Sequence, residues 1–252
     1  LATLGRIRTA RQAMIAGGKA EKAGFKRISA DLMFGIPGQT VERWRRTLDE
    51  LIELPVDHVS CYSLSLEEDT PFLARFKSDR TKLPWEHETV EMYRLLVDVL
   101  EDKGFQRYEL SNFALPGHEC MHNVGYWSFL PYLGIGAGAH SFDGIKRTWN
   151  QQNPEEYIHS HTDGDGFPAG EEILDSRSRA LETLMLSLRT RDGLDPVDFA
   201  NRYTPDSMEI IKLLGNYIKA GFMEECEGGR VRIATEGVMM ADEIIAELAT
   251  QI

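Results

Sequence analysis

The apolar positions of this chain fall first into short runs that alternate with amphipathic stretches. Residues 9–23 have helical spacing between Thr9, a residue type that caps helix N-termini, and Gly24, a type that ends helices. Gly17 and Gly18 work against that helix, since each costs about 1 kcal/mol relative to alanine. Residues 26–33 predict a buried strand, which runs into the turn 35–40. Residues 41–54 predict a helix with Trp44, Leu48, Leu51 and Ile52 on one face, and 56–66 the next strand. A loop of mixed charge over 67–83 precedes a long amphipathic helix, 86–103, closed by Gly104, and a short strand, 105–110. This strand–helix–strand alternation predicts an α/β fold with a parallel sheet and right-handed crossovers. Ligands bind at the C-terminal strand ends of such sheets, which makes Asp31, Ser63 and Ser65 candidates by position.

The pattern changes downstream. Residues 139–142 and 146–150 predict a hairpin across Asp143-Gly144, followed by a short helix over 154–160. Residues 161–170 hold four glycines or prolines and two aspartates, and read as a linker. Helices follow over 174–188, 196–203 and 206–220, then a hairpin formed by 222–225 and 230–233 around Gly228-Gly229. A last helix runs from its cap at Thr235 to about residue 249. The organisation is therefore an α/β domain over 1–160 and a small winged-helix-like α+β domain over 171–252.

Composition narrows the function classes. At 252 residues the chain can bury a sizeable core in one or two domains. It has no apolar run near the length of a membrane span and no recognisable signal peptide. Three scattered cysteines do not make a disulfide framework, so a reducing, cytoplasmic location is expected. A net charge of −12 argues against bulk nucleic-acid binding, which needs a basic footprint. A local basic pocket is still compatible with it, and Arg6, Arg43, Arg45, Arg46 and Arg147 are candidates to meet a carboxylate-bearing ligand. None of these features sets the oligomeric state.

The densest chemistry lies in His122-Asn123-Val124-Gly125-Tyr126-Trp127, followed by a glycine-rich segment through Gly134, Gly136 and Gly138 to His140. His122 has three readings. It is an axial haem ligand, which needs a neutral imidazole and an open approach to iron; a buried histidine bonded to a backbone carbonyl; or part of a His118-x-Cys120-x-His122 metal site. The last is the weakest, with three ligands in five residues and no second pair at usual spacing. Tyr126 and Trp127 offer flat apolar surface and also serve a core. The Gly134-x-Gly136-x-Gly138 run lacks the dinucleotide fingerprint, and a strand packed close to a cofactor or another backbone fits it better. His140, at its end, is a further candidate ligand contact. The carboxylates Glu67, Glu68 and Asp69 fit a solvated loop, and the cluster of His159, His161, Asp163 and Asp165 falls in and beside the linker.

Three strings carry a family resemblance: the H-N-x-x-Y-W string at 122–127, the loop Asp31-Leu32-Met33-Phe34-Gly35-Ile36-Pro37-Gly38-Gln39-Thr40, and Leu4-Gly5-Arg6-Ile7. Together they resemble the HemW-type haem chaperones of the radical S-adenosylmethionine (SAM) superfamily, relatives of the oxygen-independent coproporphyrinogen III oxidases. The likeness runs from about residue 4 to 157, and more loosely beyond. It implies the later part of a radical SAM (β/α) partial barrel, with SAM contacted by Arg6 and Asp31 and with Ser65 at a neighbouring strand end. It also implies haem held at His122 with Asn123, Tyr126, Trp127, Gly136 and His140 nearby, and proteins that accept the haem as partners. The family's cluster motif, C-x-x-x-C-x-x-C, does not occur among Cys61, Cys120 and Cys226. The resemblance therefore implies a C-terminal fragment whose [4Fe-4S] ligands lie upstream and which by itself performs no radical chemistry. The rival within the family is coproporphyrinogen III oxidase, which the H-N-x-x-Y-W string disfavours. A blander rival is an aldolase-like barrel enzyme, which would want a lysine at a strand end.

Overall fold

The computed structural model describes residues 7, 9–65, 83–162, 168–204 and 209–252. The chain divides into two compact units, Leu1–Cys120 with Ala234–Met239, and Met121–Ile233 with Met240–Ile252. The segment expected as a linker, 161–170, falls inside the second unit, and residues 163–167 of it lie outside the described residues.

In the first unit, α1 spans Ala10–Lys22 and is capped by Thr9, whose side chain accepts from Gln12 N–H while Gln12 accepts from the Thr9 amide. Strand β1, Ser29–Phe34, pairs in parallel with β2, His58–Ser63, from Ser29↔His58 to Phe34↔Ser63. Between them α2, Val41–Leu51, is capped by Thr40. It buries Trp44, Leu48 and Leu51, so the expected apolar face is present, though one turn shorter than read from sequence. Helix α3, Glu86–Asp102, packs on α2, and the Trp44 indole donates to the Met92 carbonyl at 2.8 Å.

The sheet does not continue as a simple parallel array. Strand β3, Gln106–Glu109, turns straight back into β4, Asn112–Ala114, and β4 inserts antiparallel beside β2 to give the order β1-β2-β4-β3. Alternation of side chains assigns the two sheet faces. Ala30, Leu32, Phe34, Val59, Cys61 and Phe113 join the helices in one apolar cluster. Ser29, Asp31, His58, Ser60 and Asn112 occupy the alternate positions, a polar face. At the other end of the strands, Asp57 accepts from the Ile28 amide (3.1 Å) and lies 2.6 Å from His118 Nδ1, tying the starts of β1 and β2 to the segment after β4.

The second unit opens with α4, Met121–Trp127, and a three-stranded antiparallel sheet of β5, His140–Phe142, β6, Lys146–Trp149, and β7, Gly170–Ile173. The hairpin across Asp143-Gly144 is present, with the Asp143 carboxylate accepting from the amides of Ile145 and Lys146. β7 was not expected. Its Gly-Glu-Glu-Ile sequence is largely exposed and carries no apolar alternation. Gly170 is required there, because a Cβ would come within 2.3 Å of the Trp149 indole paired against it. Helix α5, Pro154–Thr162, lies between β6 and β7 in sequence.

The remaining helices are α6, Ser176–Arg189, α7, Pro196–Tyr203, and α8, Glu209–Lys219, the first two capped by Asp175 and Asp195. The hairpin β8, Met223–Cys226, and β9, Arg230–Ile233, follows, with an isolated bridge from Leu194 to Val231. The last helix begins later than Thr235: residues 235–240 form a 3-10 segment and α9 spans Ala241–Ala249. α6 packs against α7, β9 and α9. No helix among the described residues is long and apolar enough to cross a membrane.

Candidate functional site

His122 is exposed on α4, which excludes its reading as a buried core histidine. Tyr126 follows one helical turn later, so the two side chains share a face. Their rings meet edge to face, with centroids 4.8 Å apart and planes at 88°. Asn123 and Trp127, spaced the same way, occupy the adjoining stripe and are half-buried.

The helix ends in an unusual cap. The Leu130 amide donates to the Gly125 carbonyl and the Phe129 amide to Tyr126, a pattern that places Phe129 in the left-handed region at φ 57°. Glycine normally takes this position. The Phe129 ring is held by Phe142 at 4.7 Å, and packing sustains the backbone strain.

After the cap, Tyr132 stands 4.6 Å from Tyr126 and 6.1 Å from Phe142, and is fixed by backbone bonding with Phe142 in both directions at 2.8 Å. Phe142 pairs across the hairpin with Arg147, whose guanidinium sits 5.8 Å over its ring. Arg147 in turn meets Glu182 of α6 at 2.8 Å, and this pairing raises the guanidinium's pKa, helped by the Tyr132 hydroxyl against partial burial. The candidate basic residue Arg147 is thus committed to a carboxylate of this chain. Tyr132 and Phe142 were missed in the sequence. The available signal was their position flanking the glycine-rich run, one on each side.

That run is not a strand. Gly136 and Gly138 have φ of +108° and +69°, and the segment is a loop held by side chains. The Asn150 amide donates to the carbonyls of Gly134 and Gly136, and the Tyr157 hydroxyl accepts from the Gly136 amide. The close approach anticipated for these glycines is internal: a Cβ on Gly134 would fall 2.0 Å from the His140 carbonyl oxygen. A Cβ on Gly136 would meet nothing within 4 Å. Leu133 and Ile135 project outward from the loop, 79% and 82% exposed, leaving apolar surface open beside Tyr132. His140 is exposed and its ring lies 5.8 Å from that of Trp149, its cross-strand partner.

In the first unit Asp31 does not end its strand. It is the third of six residues of β1 and pairs with Ser60. Its carboxylate is exposed on the polar face, because the alternation that buries Phe34 turns Asp31 the other way. Ser65 follows the end of β2 and is exposed, and Ser63 is the last residue of that strand. Beside Asp31 is a group the sequence did not single out. His58 is buried, with Nδ1 2.9 Å from the Ser29 hydroxyl and Nε2 2.8 Å from the Tyr108 hydroxyl. Burial lowers its pKa, against the opposing effect of Asp57 and Asp31. Arg6, Glu67, Glu68, Asp69, Asp163 and Asp165 lie outside the described residues.

The cysteines do not suit a cluster. Cys61 is buried in the core of the first unit, where burial pushes its thiol up, away from thiolate. Cys226 donates to the Arg230 carbonyl in the second unit. His118, the other histidine of the weak metal motif, is engaged by Asp57. No group of three or more metal-binding side chains converges among the described residues.

Comparison with known proteins gives the chain its relatives. Residues 174–240 match the HemN C-terminal domain family. The chain is 35% identical over 203 residues to the haem chaperone HemW of Lactococcus lactis, covering 81% of this chain and 53% of that protein. It is 31% identical over 246 residues to HemW of Bacillus subtilis, covering 97% and 64%. It is 30% identical over 269 residues to the mitochondrial radical S-adenosyl methionine domain-containing protein 1 of Danio rerio, covering 100% and 59%. Among solved structures, the radical SAM enzyme coproporphyrinogen III oxidase (HemN) of Escherichia coli superposes with a TM-score of 0.73 at 20% identity, over 100% of this chain and 61% of that one. The α/β architecture is therefore that of the corresponding part of HemN, and the chain spans between about half and two thirds of the length of these relatives. By these matches residues 174–240 belong to the HemN C-terminal domain family, and the chain as a whole is similar to the corresponding part of HemW.

Proposed function

We propose that this chain is the haem-holding part of a radical SAM haem chaperone, which binds haem at α4 and passes it to haem-dependent proteins in the cytoplasm. The observation that carries this reading is the exposed His122 imidazole, oriented by the edge contact with Tyr126. An exposed imidazole is open to approach by iron, and haem iron supplies the axial coordination site such a ligand needs. Tyr126, Trp127 and the projecting Leu133 and Ile135 offer aromatic and aliphatic surface to a macrocycle, and Asn123, Gly136 and His140 border that surface in our reading. Asp31 and Ser65, with Arg6, would take SAM: an exposed carboxylate suits the cofactor's hydroxyls or ammonium, and a guanidinium its carboxylate. The [4Fe-4S] cluster of the family does not fit the cysteines present, so no radical step is assigned to these residues.

The second reading is coproporphyrinogen III oxidase, favoured by the fold shared with HemN. The two separate by ligand preference. Haemin and metal-free coproporphyrin III should be titrated into the folded chain in competition. The chaperone reading predicts that haemin wins and that a haemin-loaded chain yields its haem to an apo-haem protein. Preference for the metal-free porphyrin would favour the oxidase.

A further inference from the structure

An exposed aromatic side chain on a short surface helix ordinarily samples several rotamers, because nothing around it selects one. His122 and Tyr126 are both exposed, yet they belong to a continuous ladder that ends far from α4 in sequence. Tyr126 is 41% exposed, so burial does not fix it, and the edge of Tyr132 at 4.6 Å does. Tyr132 is locked by two backbone hydrogen bonds to Phe142, and Phe142 is covered by Arg147 at 5.8 Å. The guanidinium is clamped between Glu172 of β7 at 3.8 Å and Glu182 of α6 at 2.8 Å. Glu182 lies within the segment that matches the HemN C-terminal domain.

We propose that Tyr132 and Arg147 are positioning residues for His122, and that the C-terminal domain holds the haem-binding imidazole in one orientation through Glu182, Arg147, Tyr132 and Tyr126. The part concerning haem rests on the reading of His122 as its ligand. A ligand group ordered before binding loses less freedom when it binds. Removing the ladder should therefore weaken haemin binding about two- to tenfold, the equivalent of one rotamer-rich side chain to be ordered. The iron–histidine bond itself would remain.

The test begins on the haem-free chain. The His122 imidazole resonance, identified by its loss in His122→Gln, is compared in Tyr132→Leu, Tyr132→Phe and Arg147→Met. Tyr132→Leu and Arg147→Met should both move that resonance and weaken haemin two- to tenfold, while Tyr132→Phe, which keeps the ring but loses the hydroxyl that meets Arg147, should change both less than Tyr132→Leu does. A His122 resonance and haemin affinity unmoved in Tyr132→Leu, with the rest of the spectrum native, overturn the proposal. If Tyr132→Leu does not fold, Arg147→Met decides by the same two readings. Failure of the ligand reading has a different signature: haemin affinity indifferent to His122→Gln, whatever the ladder variants do to the resonance of the free chain.

Discussion

The imidazole of His58 and the hydroxyl of Tyr108 lie 2.8 Å apart across the intervening strand β4, where the residue paired with His58 is the small Ala114. The contact joins β2 to β3 on the polar face of the sheet, and both residues are buried. Burial holds the folded-state pKa of His58 below the ordinary 6.5. Below about pH 6.5 the unfolded chain takes up a proton that the folded chain refuses. The stability this group contributes is therefore full above that pH and falls as the pH drops towards the folded pKa. Urea unfolding at pH 7.5 and pH 5.5 should show a loss on acidification that is smaller in His58→Gln. An equal loss in both chains would contradict the assignment.

Tyr108→Phe tests the same contact without a charge change. It leaves a ring nitrogen of a buried histidine without its partner, at a cost of about 1–3 kcal/mol. A change under about 0.5 kcal/mol in unfolding free energy would mean that the bond contributes little.

Trp44 is wholly buried between α2 and α3 and donates to the Met92 carbonyl. Trp44→Ala should destabilise the first unit by about 3–5 kcal/mol. Trp44→Phe, which keeps most of the apolar volume, should cost less. Denaturant midpoints order the two, and near-equal losses would show that the indole N–H outweighs the packing.

Gly134 and Gly136 should respond differently to alanine. At Gly134 the new Cβ meets the His140 carbonyl at 2.0 Å, and backbone cannot yield as a side-chain tip does. At Gly136 there is space, and the cost is only the left-handed backbone, about 1–2 kcal/mol. Gly134→Ala should lower the melting temperature more and disturb the amide signals of β5. The reverse order would mean that the loop packs differently from the arrangement described.

How much of this was legible in the sequence follows from where local signals agreed with tertiary ones. The helix read from its cap at Thr9 starts where that cap lies, because a capped terminus is a local event, whereas the last helix, read from Thr235, starts only at Ala241 after a 3-10 segment. The parallel pair β1–β2 was legible from its apolar runs. β4 was not, since three residues after a two-residue turn carry no period, and only pairing with β2 makes them a strand. The glycine-rich run misled because its loop shape is imposed by Asn150 and Tyr157, which lie outside it. In the candidate site, the His122–Tyr126 string was visible as residues but not as geometry. Its helical phase brings the two rings together, and Tyr132 joins them only through the fold.

The central claim is that His122 ligates haem iron, and the most direct measurement is a haemin titration of the folded chain and of His122→Ala, followed at the Soret band. The account predicts a shifted, saturable Soret band for the parent. In the variant that band should be lost or moved, with weaker binding, at an unchanged far-ultraviolet spectrum, because the imidazole is exposed and contributes little to the fold. The same Soret position and affinity in a well-folded His122→Ala would contradict it, removing His122 as the ligand and turning preference towards the oxidase reading.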